Sequence, residues 1–96
     1  MDRAELEKSW ATTGRHLLAA RDNLPQEPAL GVEGATVADF LECMDHNEQE
    51  LALYELEDMG LTNAPPAVFW QQLMYAAENM KLFDRAAEFK QRMEGA

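Results

Sequence analysis

The densest gathering of reactive side chains is Glu42-Cys43-Met44-Asp45-His46-Asn47-Glu48, where a thiol, an imidazole and three carboxylates fall within seven residues. A transition-metal site draws three or four ligands from two separated segments. The second histidine, His16, has no Glu or His spaced to join it, and the paired Glu-x-x-His pattern of di-iron bundles is missing. Cys43 and His46 stand three apart at a helix end, close enough to touch. Activating the thiol would also need a group to orient the base and donors for an oxyanion. Cys43 lies beside an apolar stripe, where cysteine behaves as a small buried hydrophobe. His46 reads as a solvated residue at a helix junction.

Other chemistry is thinner. Ser9 is the only serine and has no glycine-framed turn to present it. No glycine-rich phosphate loop, EF-hand or dinucleotide fingerprint occurs. With 18 acids in 96 residues, some pair always mimics a general acid and base, so acid pairs carry no specificity. The expectation is a protein without catalytic residues, metal ligands or a cofactor.

One segment reads differently. At about 100° per residue, Gln49, Ala52, Leu53, Leu56 and Met59 share one face of a helix and are assigned to the core. Leu51 and Tyr54 then point the other way, among Glu50, Glu55, Glu57 and Asp58. An aliphatic and an aromatic anchor ringed by carboxylates is the composition of a binding hot spot with an acidic rim. The alternative is that this helix is sandwiched, with Leu51 and Tyr54 packed on the first or fifth helix.

The elements that would hold these residues are helices. Apolar residues recur three and four apart in five segments, and strand-like alternation is absent; the chain has no isoleucine. A long first helix is expected over residues 2–23, on the stripe Leu6, Trp10, Thr13, Leu17, Ala20 and Leu24. Pro25 and Pro28 end it. Residues 25–35, with two prolines and two glycines, read as a loop that is either mobile or laid across the core. Thr36 is an expected N-cap for a helix over 36–45, with Asp39 favouring its positive end. Asp45, His46 and Asn47 interrupt it and offer caps for a helix over 47–59, which Gly60 would close. Pro65 and Pro66 open a helix over 65–80 with Phe69, Trp70, Leu73, Ala76, Ala77 and Met80 on one face, and a last helix covers 84–94. Trp10 and Trp70 are both expected in the core. No fixed period of about 34 residues recurs, and a solenoid needs three or more repeats. The fold class is all-α, a compact single-domain bundle of about five helices.

Charge narrows the partners. The formal charge is −10, from 18 acids against 8 Lys and Arg. A field of that sign disfavours nucleic acid and anionic membranes and speeds encounter with basic surfaces. Cys43 is alone, so no internal disulfide can form. Acids occupy the start, where a signal peptide needs a basic end and an apolar run, and no apolar stretch nears the ~20 residues that span a bilayer. A cytoplasmic location is expected.

From Asp39-Phe40-Leu41 through Asp45-His46-Asn47-Glu48, then Ala52-Leu53 and Leu56, the chain resembles small bacterial immunity proteins of the MafI type. There a Phe-hydrophobic pair precedes an Asp-His-x-Glu junction, and an Ala-Leu pair and a further Leu follow. Pro65-Pro66 with Phe69-Trp70 continue the likeness, which covers about residues 36–80. The resemblance implies a protein made beside a polymorphic toxin that blocks it by binding in the cytoplasm, with Glu48 and the Asp45-His46 junction as shared features. The expectation is therefore an immunity-type inhibitor whose acidic surface meets a basic toxin domain, with Leu51 and Tyr54 as anchors and Glu50, Glu55, Glu57 and Asp58 as steering rim. A helical-repeat adaptor recognising a peptide or protein is the rival, and a metal-binding regulator on Cys43 and His46 a weaker third.

Overall fold

Proline and capping set the helix boundaries. The computed structural model describes residues 3–96, which form α1 (Arg3–Arg21), α2 (Val37–Asp45), α3 (Gln49–Asn63), α4 (Ala67–Asn79) and α5 (Phe83–Gly95), with no strand among them. The expected start of the first helix at Asp2 lies outside the described residues. α1 unwinds before Pro25: Asn23 Nδ2 donates to Ala19 O, and the Arg21 guanidinium donates to the carbonyls of Pro25 and Gln26. Thr36 caps α2 in a reciprocal box, Asp39 N donating to Thr36 Oγ1 at 3.1 Å and Thr36 N to Asp39 Oδ2 at 3.3 Å. Thr36→Ala is expected to lower stability by about 1 kcal/mol, read as a shift in urea midpoint at unchanged slope.

α1 ends at Arg21 rather than residue 23, and α4 starts at Ala67 with Pro66 as its N-cap rather than at Pro65. Two further boundaries differ in kind. Gly60 does not close the third helix; α3 continues to Asn63, and Ala64 takes the left-handed conformation at φ 45°. Gly60 is instead buried where α3 crosses the start of α4, and a Cβ there would lie 2.5 Å from Phe69 Cε1 and 2.8 Å from Trp70 Cη2. The glycine serves close packing rather than termination. The second difference is at Asp45-His46-Asn47, which does not cap α3. Asn47 N donates to Met44 O, and Glu48 N to Cys43 O at 2.8 Å, with Asn47 at φ 54°. These paired bonds close α2 in a Schellman turn, while Glu48 stands at the α3 N-cap without a side-chain bond.

That turn occurs twice. Lys81 N donates to Glu78 O, Leu82 N to Ala77 O at 2.8 Å, and Lys81 sits at φ 63°. The residues before the left-handed position agree (His46 φ −92°, ψ 9°; Met80 φ −87°, ψ 1°), as do those after it (Glu48 −92°, 70°; Leu82 −92°, 68°). Asn47 and Lys81 stand 34 positions apart. The repeat is invisible in side chains because only Ala52/Ala86 and Met59/Met93 match between residues 36–62 and their counterparts. The two hairpins do not stack as in a solenoid: α4 packs chiefly on α5 and α1, and only lightly on α3.

α1 and α4 run antiparallel. Asn79 Nδ2 donates to Ser9 O and, at 2.6 Å, to Thr13 Oγ1, and farther along His16 Nδ1 lies 2.7 Å from Gln72 Oε1. Leu17, Ala20 and Leu24 from α1 and its end meet Phe69, Trp70, Leu73, Ala76 and Ala77 of α4, with Phe40, Ala52, Leu53, Leu56, Met59 and Phe89 completing the core. Trp70 is buried, edge-on to Phe69 and stacked on Phe89. Trp10, expected in the core, is 43% exposed. The 19 residues of α1 span about 28 Å and the 13 of α4 about 20 Å. Asn79 ends α4 opposite Ser9 and Thr13, so Trp10 stands level with the end of that helix and, with Leu6, lines an open groove beside Met80 and Leu82 rather than the core. No helix among the described residues is long and apolar enough to cross a membrane.

Candidate functional site

The outer face of α3 and the segment 29–35 enclose a cleft of about 350 Å³. Its form depends on how that segment is tied down. Asn63 bridges both polar groups of Ala29, accepting from its N–H at 2.9 Å and donating to its carbonyl at 3.0 Å, and Thr62 Oγ1 donates to Leu30 O at 2.8 Å. Asp58 provides the main anchor. Its two carboxylate oxygens accept from Glu33 N at 2.9 and 3.0 Å, and Oδ2 also accepts from Ala35 N at 3.0 Å. Gly31 passes so close that a Cβ would lie 2.0 Å from Asp58 Oδ2. The loop is therefore a strap over the C-terminal half of α3, with Ala35 buried beneath it.

This corrects the place of Asp58. Expected on a solvated rim, it is only 9% exposed and its oxygens are consumed by backbone donors. An acid on the polar arc of a helix looks solvated until a strap closes over it. Glu57 is likewise engaged: its carboxylate forms an ion pair with Arg85 of α5, which also binds Glu88 at 2.7 Å. The Arg85 guanidinium lies 4.9 Å from the centroid of the Tyr54 ring and 5.2 Å from that of Phe89. Nothing in the sequence marks Arg85, which stands between Asp84 and Glu88 with Lys81 and Lys90 on either side.

Leu51 and Tyr54 are 51% and 42% exposed. Tyr54 lines the cleft, and α5 reaches it through Arg85 rather than burying it. Glu50 is exposed but lines a different groove, beside Trp10 and Leu82. Glu33 and Asp39, from the strap and from α2, join Glu55 at the cleft, and no Lys or Arg lines it. Asp39 and Glu33 lie 10 and 16 residues before the start of α3, so the periodicity of that helix could not place them there.

Electrostatics follow from that crowding. Burial, then Asp39, then Asp58 push the Glu55 carboxyl above its usual value. The folded chain holds this proton to higher pH than the unfolded chain, so ionising Glu55 costs stability as pH rises past the carboxylate range. Glu55→Gln is expected to raise the thermal midpoint at pH 7 and to lose that advantage in acid, where the wild-type carboxyl is already protonated. Equal effects at both pH values in paired melts would contradict this. Burial, then Glu55, Glu48, Glu42 and Asp39 likewise push the Cys43 thiol up. A thiol held protonated is a poor nucleophile and a poor metal ligand.

His46 and Glu48 are exposed. Among the described residues no group of three His, Cys, Asp or Glu side chains is arranged to hold a metal ion. The reactive-looking heptad is a helix-helix turn made by backbone. No family model matches this chain, and no curated protein and no solved structure matches it.

Proposed function

We propose that this protein is an immunity-type inhibitor that neutralises a basic bacterial toxin domain in the cytoplasm by direct contact through the acidic face of α3. The observation that supports this reading best is the cleft itself: Glu33, Asp39 and Glu55 meet beside the exposed Tyr54, with no cation lining the space. Carboxylates held together without a counter-charge repel one another, and a basic partner relieves that repulsion on binding. A nuclease toxin carries basic groups to hold phosphates, and an acidic inhibitor suits that groove. The formal charge of −10 adds long-range steering toward such a partner and away from nucleic acid and anionic membranes.

Leu51 and Tyr54 are the anchors, and Glu50 and Glu55 steer. Asp58 acts by holding the strap, and Glu57 by holding Arg85 against Tyr54. The test is capture of partners by tagged protein at low and high salt, followed by affinity measurement with Tyr54→Ala. One basic partner lost as salt rises, and bound at least roughly tenfold more weakly by the variant, is expected. Unchanged affinity of Tyr54→Ala would remove the site from this face.

A second reading, a helical-repeat adaptor, rests on the twin Schellman hairpins 34 positions apart, although they do not stack on each other as solenoid repeats do. It predicts several partners that survive high salt.

A further inference from the structure

The cleft is selective in shape as well as charge. Glu33 and Glu55 have no cationic side chain within ion-pair distance among the described residues, whereas Glu57 and Glu88, close by, share Arg85. Apolar surface flanks the acids independently: Tyr54 and Leu61 line the cleft, and the strap next to Glu33 exposes Val32 at 67%. An uncharged apolar segment laid here would desolvate Glu33 and Glu55 without pairing them. A second copy of this chain would bring ten more negative charges. The occupant that satisfies both acids and the apolar walls carries a cation on a flat, weakly hydrated group. Arg85 shows in the same neighbourhood how such a group is held, its guanidinium over the Tyr54 ring with carboxylates at its edge.

We propose that the cleft takes one arginine side chain of the protein partner, its guanidinium between Glu33, Asp39 and Glu55, with Val32 and Leu61 covering apolar residues that flank it. This rests on the reading that the partner is a basic protein. Arginine fits better than lysine because its planar fork can serve two carboxylates at once and sheds water more easily than an ammonium.

The probes are blocked glycyl-arginyl-glycine, its lysine counterpart and its neutral citrulline counterpart, titrated into the 15N-labelled full chain at low salt. The arginine peptide should shift the amides of Gly34, Ala35, Tyr54, Glu55 and Leu61 saturably, bind roughly fivefold more tightly than the lysine peptide, and leave the citrulline peptide without effect. Glu55→Gln combined with Asp39→Asn should weaken it roughly tenfold; because Asp39 also caps α2, Glu55→Gln alone serves as the second variant, weakening the peptide by a smaller factor with the fold untouched. Equal shifts from all three peptides, or shifts scattered over the surface, would overturn the proposal. A captured basic partner whose affinity ignores both variants would also overturn it while leaving the inhibitor reading standing. A selective arginine cleft in a chain whose partners are salt-insensitive would support the cleft and sink the inhibitor reading.

Discussion

Asp58→Ala is expected to lower the stability of the fold by about 3 kcal/mol, the largest effect of any substitution at the candidate site. The carboxylate accepts two backbone N–H groups, Glu33 with both oxygens and Ala35 with one. Charge-assisted bonds of this kind contribute about 1.5–3 kcal/mol each, and a buried donor left unpaired costs about 1–3 kcal/mol. Alanine leaves both donors unserved, and Ala35 is buried where water cannot replace the acceptor. For a domain of this size the loss corresponds to a fall of roughly 15 °C in thermal midpoint. Asp58→Asn keeps the shape and one acceptor oxygen, and should cost about half as much. Urea unfolding measures both, and hydrogen exchange at Glu33 and Ala35 reports whether the strap has lifted. A loss below about 1 kcal/mol for Asp58→Ala would mean that the strap holds without its anchor. The functional consequence follows from geometry, because a lifted strap removes Glu33 and one wall of the cleft.

Gly60→Ala should destabilise by about 2 kcal/mol even though propensity argues the other way. Within a helix alanine is favoured over glycine by about 1 kcal/mol. Here the added methyl would come within 2.5 Å of the Phe69 ring and 2.8 Å of the Trp70 ring. Both rings are buried and braced, Trp70 against Phe69 and Phe89, with the Arg92 guanidinium 5.3 Å from its centroid. Overpacking against rings that cannot swing aside costs about 3 kcal/mol, so packing outweighs propensity. Gly34 is the control. It turns the strap at φ 87° with nothing near its Cβ position, so Gly34→Ala adds backbone strain without a clash. If Gly60→Ala proved neutral or stabilising in urea unfolding, α3 and α4 would have to be able to separate at their crossing.

The sequence by itself determined the all-helical fold, its five helices and most of its core. Stripes such as Leu17-Ala20-Leu24 and Phe69-Trp70-Leu73-Ala76-Ala77 can bury one face only as helices, and their residues are buried. Thr36 with Asp39 was legible for the same reason, since a capping box is a local exchange of hydrogen bonds three residues apart. Helix phase turns Leu51 and Tyr54 away from Leu53 and Leu56, but that no neighbouring helix covers them is decided by the tertiary structure.

The tertiary structure decided everything that depended on a second segment. Periodicity treats an acid on the polar arc of α3 as solvated, but a strap about 25 residues away in sequence buries Asp58 and leaves Glu55 half-buried. It treats Trp10 as core because the stripe runs through it, while burial also requires a second element to cover the ring, and Trp10, level with the last residue of α4, instead lines an open groove with Gln49, Asn79 and Leu82. Gly60 looks like a terminator in isolation and is a packing residue once α4 crosses it. The 34-residue recurrence lies in backbone angles, which very different side chains can adopt at Asn47 and Lys81. Burial and charge environment are properties of pairs of segments, so one segment's pattern constrains them only when its partner is already known.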